Sequence, residues 1–125
     1  MIHLDTGFLI HALVPTSAAD EALRGWLVAG EPLAMSYVAW AELLCGPLTP
    51  RQAELAARVV AERIPFAEED AAEAARLFNL SDRRRGSLAD CMIAATALRC
   101  GARLATTNRR DFVPFEDAGL DLVDS

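Results

Sequence analysis

At 125 residues, with 53% hydrophobic and 24% charged side chains, the chain can bury one core without disulfides, which excludes disordered and disulfide-stapled classes. No apolar run approaches the roughly 20 residues that span a bilayer, and Asp5 stands where a signal peptide would carry Lys or Arg; a soluble, cytoplasmic protein with no membrane partner is expected. The formal net charge of −6 does not exclude a nucleic-acid partner, because all 12 basic residues are arginine, the side chain suited to bidentate phosphate contact.

Residues 2–5 are expected to form a short buried strand, followed at once by a helix through Leu13 that Pro15 breaks. Ser17, with Asp20 at the third helical position, caps a helix to about Ala29 that Gly30 stops. Leu33-Ala34-Met35 predicts a second strand, and Ser36 caps a helix carrying Val38 to Leu44, ended by Gly46-Pro47. Thr49-Pro50-Arg51-Gln52 joins an N-cap, a first-position proline and a capping-box glutamine, for a helix to about Arg63. Ile64-Pro65-Phe66 predicts a third strand with an edge proline. Glu68 to Leu80 is helical, placing Ala71, Ala74, Ala75 and Phe78 on one face. Arg83-Arg84-Arg85-Gly86 is a basic loop, and Ser87 caps a helix through Cys100 that Gly101 terminates. Arg103 to Thr106 and Leu120 to Val123 supply the fourth and fifth strands. Short apolar strands alternating with helices predict one domain over residues 1–125, a parallel sheet covered by helices. Sites in such sheets lie at the carboxyl ends of the strands.

Four acids interrupt apolar surroundings: Asp5, Glu42, Asp90 and Asp111. Each has a bland explanation. Asp5 is a possible helix cap, Glu42 a solvated helix position, Asp90 the third residue of a Ser87-x-x-Asp90 capping box, and Asp111 a turn residue. The flanks Trp40, Ala41, Leu43 and Leu44 leave Glu42 only a narrow outward face. Unpaired carboxylates are costly to bury, so four together point to a shared divalent cation. Cys45, Cys91 and Cys100 lack paired metal-ligand spacing and are expected to be buried, reduced thiols. His3 and His11 belong to no metal or nucleophile pattern.

Three segments carry a specific resemblance: Leu4-Asp5-Thr6-Gly7, then Val38 to Gly46 with its Ala41-Glu42-Leu43, and Asp90-Cys91-Met92-Ile93-Ala94-Ala95 leading to Thr106-Thr107-Asn108-Arg109-Arg110-Asp111-Phe112. Their order and spacing resemble a PIN domain of the VapC toxin type over nearly the whole chain. The resemblance implies a three-layer α/β/α sandwich around a central parallel sheet. It implies a Mg²⁺- or Mn²⁺-dependent endoribonuclease that cleaves RNA by metal-activated water, forms a homodimer and is neutralised by a cognate antitoxin. Carried over by position, Asp5, Glu42, Asp90 and Asp111 are the catalytic acids, with Asp5 and Asp90 as metal ligands. Thr6 is a site hydroxyl, and Thr107 or Asn108 a polar support. Cys91-Met92 departs from the usual small and aliphatic residues, which bears on packing rather than chemistry.

Carboxylates are hard ligands that suit Mg²⁺ or Mn²⁺, and clustered acids without metal should show a raised pKa. Arg84, Arg85, Arg109 and Arg110 are the expected RNA contacts. Apolar faces around Trp26, Leu27, Leu55, Val59 and Leu77 suggest the homodimer. Two other classes are weaker: Asp5-Thr6-Gly7 resembles the aspartic-protease tripeptide, but those folds are all-β, and a receiver-type phospho-acceptor needs a lysine that this chain lacks. A non-catalytic PIN-like RNA- or protein-binding module is the alternative that metal-dependent cleavage separates.

Overall fold

Strands β1 (Ile2–Leu4), β2 (Leu33–Ser36), β3 (Glu62–Ile64), β4 (Arg103–Ala105) and β5 (Asp121–Leu122) form one parallel sheet in the order β3-β2-β1-β4-β5. The computed structural model describes residues 1–81 and 88–123; the Arg83-Arg84-Arg85 run, the Ser87 cap and Asp124 lie outside the described residues. Helices α1 (Thr6–Ala12), α2 (Ala18–Val28), α3 (Tyr37–Cys45), α4 (Pro50–Val59), α5 (Glu68–Leu80), α6 (Leu88–Arg99) and α7 (Arg109–Phe112) flank the sheet, making a three-layer α/β/α sandwich. A 3-10 turn over Val113–Ala118 precedes β5. From β1 the chain passes to β2 and β3 on one side, then crosses to β4 on the other. The order therefore reverses between β1 and β4, and such a switch point opens a crevice at the strands' carboxyl ends.

Local chemistry sets most boundaries. The Ser17 hydroxyl accepts from Asp20 N at 3.0 Å, and Ser36 from Ala39 N at 3.1 Å. Thr49 and Gln52 close a reciprocal capping box at 3.1 and 3.0 Å. Gly101, at φ 61°, ends α6 in the left-handed region where a side chain is disfavoured. Ile2, Leu4, Phe8, Leu9, Met35, Leu43, Leu77, Ile93, Leu104 and Phe112 are among the fully buried side chains of the core. Trp26 stacks on Phe8 with ring centroids 5.4 Å apart, pinning α2 to α1.

Several expectations are corrected. α4 stops at Val59, and β3 occupies residues 62–64 rather than 64–66. Pro65 has no N–H for the ladder; its carbonyl instead accepts from Arg99 at 2.8 Å, while Arg63 lies over the Trp40 ring at 3.9 Å. On α5 the buried stripe is Asp70, Ala74 and Leu77, and Ala71 and Ala75 face solvent. Asp70 turns inward because its carboxylate caps Ala67 N at 2.8 Å and accepts Arg99 Nε at 2.9 Å. Leu77 is core rather than dimer surface, whereas Leu27 and Leu55 are exposed. Of the cysteines only Cys91 is buried; Cys45 is exposed and Cys100 intermediate. On α3 only Ala39 and Leu43 are buried, so Ala41, Glu42 and Leu44 all face outward.

Candidate active site

β1 delivers Asp5 to the switch point. Its main-chain N–H donates to the Ala105 carbonyl at 3.1 Å, fixing it against the end of β4. Its Oδ1 accepts from Phe8 N at 2.7 Å, and its Oδ2 accepts from the Thr106 hydroxyl. Asp5 is therefore the α1 N-cap after all, but a buried one with an oxygen on each of two elements. The helix-capping and site readings of this residue coincide.

The other expected residues arrive from different elements. Thr6 Oγ1 lies 2.9 Å from the Ala39 carbonyl and 3.1 Å from Glu42 Oε1, tying α1 to α3. Asp90 sits in the first turn of α6, with Ile93 one turn on. A single cleft is lined by Asp5, Thr6, Gly7, Glu42, Asp90, Ile93 and Asn108. Asp111, on α7, is not in that lining, and its Oδ2 accepts from Asn108 Nδ2 at 2.5 Å. Among the four acids only Asp5 is fully buried; Asp90 and Asp111 are half-buried and Glu42 is exposed, so an apolar sequence neighbourhood does not imply burial on α3.

Thr106 lies in the segment that carries the resemblance, but the polar support was expected of Thr107 or Asn108 instead. The Thr106 hydroxyl donates to Asp5 and accepts from Asn108 N at 2.9 Å, linking the first acid to the loop that carries the fourth. The available signal is its place as the buried residue that follows β4, beside Asp5 on the neighbouring strand. Thr107 is exposed and packs against Gly7, where a Cβ would come within 3.2 Å of Thr107 Oγ1 and make that hydroxyl give by a few tenths of an ångström. Arg109 donates to the Val123 carbonyl at 3.1 Å and lies 4.0 Å from Glu116, so it binds the chain's own last strand. Arg110 is exposed. Arg84 and Arg85 lie outside the described residues.

The electrostatics agree with a crowded acidic site. Asp90 is raised to about 6, by burial first and then by the carboxylates of Asp111, Glu42 and Asp5. Asp5 is also raised by burial, against the opposing hydrogen bonds from Thr106 and Phe8.

A PIN domain model matches residues 2–117. The chain belongs to the PIN-domain family. No match was found among curated proteins. Among solved structures this PIN domain is similar to a chain of FitAcB from Neisseria gonorrhoeae, with 26% identity, 99% of this chain and 97% of that chain covered, and a TM-score of 0.71. It is similar to VapBC-1 from nontypeable Haemophilus influenzae, with 25% identity, coverages of 99% and 98%, and a TM-score of 0.74. VapBC2 from Rickettsia felis, bound to a promoter DNA fragment, shares the fold at 20% identity, with coverages of 100% and 99% and a TM-score of 0.75.

The donor set of the PIN domain is all oxygen, which suits a hard divalent ion. Among the described residues no three His, Cys, Asp or Glu side chains stand close enough together to hold a metal. The expectation that all four acids share one ion is not met by these side chains. A grip of one or two carboxylates, completed by water and substrate phosphate, is the habit of Mg²⁺, and Asp5 with Asp90 fits it.

Proposed function

We propose that this PIN domain is a Mg²⁺- or Mn²⁺-dependent endoribonuclease, the cytoplasmic toxin of a toxin–antitoxin pair. The observation that carries the reading is the placement of Asp5, Glu42 and Asp90 in one cleft at the sheet's switch point, where burial first and the neighbouring carboxylates second raise the Asp90 pKa to about 6. A carboxyl so raised is stabilised by a cation, and such groups cluster at functional sites. The similarity to chains of FitAcB and VapBC-1 supports an antitoxin partner. The exposed Leu27 and Leu55 support a homodimer.

In this reading Asp5 and Asp90 would hold the ion, each as a carboxylate, and the ion's charge would favour the ionised form of Asp90. Thr6 holds Glu42 at the rim, and Asn108 holds Asp111, so both remaining carboxylates orient water at the cleft. A bound divalent ion would supply a water of lowered pKa and neutralise charge on the phosphoryl oxygens. Asp5 is fixed on both oxygens before substrate arrives, which keeps reorganisation small. Arg110 is exposed and Arg109, though bonded to the Val123 carbonyl, keeps part of its guanidinium at the surface; these two would meet RNA phosphates, and Arg84 and Arg85 are proposed for the same role from the sequence.

Attack by water leaves the ribose 2′-hydroxyl out of the bond-breaking step. RNA fragments made by the purified chain in Mg²⁺ should therefore carry no 2′,3′-cyclic phosphate when their ends are analysed. Cyclic phosphate ends would mean that the 2′-oxygen is the nucleophile, and the reading would fail.

A further inference from the structure

His11 stands one turn along α1 from Gly7, which lines the cleft, and its ring is exposed. Its Nδ1 lies 2.8 Å from the Gly7 carbonyl. A carbonyl only accepts, so Nδ1 carries the proton and donates, which leaves Nε2 of the neutral ring as an outward acceptor. Gly7 itself has no side chain to intervene; a Cβ there would press on the Thr107 hydroxyl at 3.2 Å.

The described residues that line the cleft are acidic, polar or apolar, with no cation among them. A second phosphate beside α1 would meet Asp5 and Glu42 unfavourably, whereas a neutral hydroxyl would not. We infer that His11 Nε2 accepts a hydrogen bond from a ribose 2′-hydroxyl next to the scissile phosphate, and so selects RNA over DNA. The 2′-hydroxyl is the group by which a protein tells the two apart at a given nucleotide. This inference rests on the ribonuclease reading and assigns His11 a substrate contact within it.

The test pairs variants of His11 with RNA oligonucleotides that carry one 2′-deoxy position each, scanned across the cut site. His11→Asn keeps a donor in the place of Nδ1 and removes the acceptor in the place of Nε2. His11→Gln restores an amide in the place of Nε2. Affinity is read in Ca²⁺, and cleavage of the all-ribose oligonucleotide in Mg²⁺. The wild type should lose about fivefold in affinity at one 2′-deoxy position, the value of one hydrogen bond. His11→Asn should show no loss there, and His11→Gln should recover part of it. The inference is overturned if the wild type is indifferent to every 2′-deoxy position, or if His11→Asn keeps the full discrimination. Absence of cleavage in Mg²⁺ by the wild type would instead sink the ribonuclease reading, and the affinities in Ca²⁺ would still decide the role of His11.

Discussion

Exchanging Asp5, Glu42 or Asp90 for its amide is expected to lower RNA cleavage at least about 100-fold, since each removes a charge at the cleft while keeping side-chain shape. Asp111→Asn should cost nearer tenfold, because that carboxylate is bonded to Asn108 of the cleft lining and is not itself in that lining. Initial rates at saturating Mg²⁺ measure both, and full activity in any of the first three would remove that residue from the site. The same exchange at Asp90 should change stability with the opposite sign. Its pKa in the metal-free fold is about 6, above the ordinary 3.8, so the fold prefers the protonated form. That contribution is fully present below about pH 4 and is lost as pH rises through about 6. In EDTA the wild-type melting temperature should therefore fall between pH 4 and pH 7 by more than that of Asp90→Asn. Parallel curves would show that neither burial nor the neighbouring carboxylates raise the Asp90 pKa in the fold.

Arg99→Ala is expected to cost about 3 kcal/mol of folding stability, a fall in Tm of roughly 10 °C. Asp70 is almost wholly buried, and Arg99 supplies its counter-charge through Nε at 2.9 and 3.0 Å while Nη2 fastens the Pro65 carbonyl at 2.8 Å. Removing the guanidinium strands the carboxylate with only Ala67 N and undoes the tie between β3, α5 and α6. Thermal or urea unfolding of the variant gives the number. A loss below about 0.5 kcal/mol would mean that the Arg99–Asp70 pair is not what anchors α6.

The sheet, its parallel sense and the helix starts were legible because their signals are local. Ser17, Ser36 and Thr49 cap within three residues, and short apolar strands between helices permit few topologies. The places that misled depend on distant partners. Asp70 rather than Ala71 turns inward because of Arg99, twenty-nine residues on. Glu42 lies in an apolar run yet is exposed, since α3 buries only Ala39 and Leu43. The acids were readable as a set from their spacing, but Thr106 was not: its role exists only because β4 pairs with β1. Arg109 is expected to meet phosphate from its place beside Asp111, and the fold adds a bond to the Val123 carbonyl that the sequence did not show. Charge patterns suggest partners, and tertiary hydrogen bonds decide which charges remain available.

The central claim is that the Asp5–Asp90 cleft cuts RNA with a divalent ion. It is tested most directly by stripping the purified chain with EDTA, then following cleavage of one defined RNA as Mg²⁺ is titrated back, with Asp90→Asn alongside. Cleavage absent in EDTA, restored by Mg²⁺ in the wild type and not in Asp90→Asn, is the predicted result. Equal cleavage in EDTA, or by Asp90→Asn at saturating Mg²⁺, would contradict it.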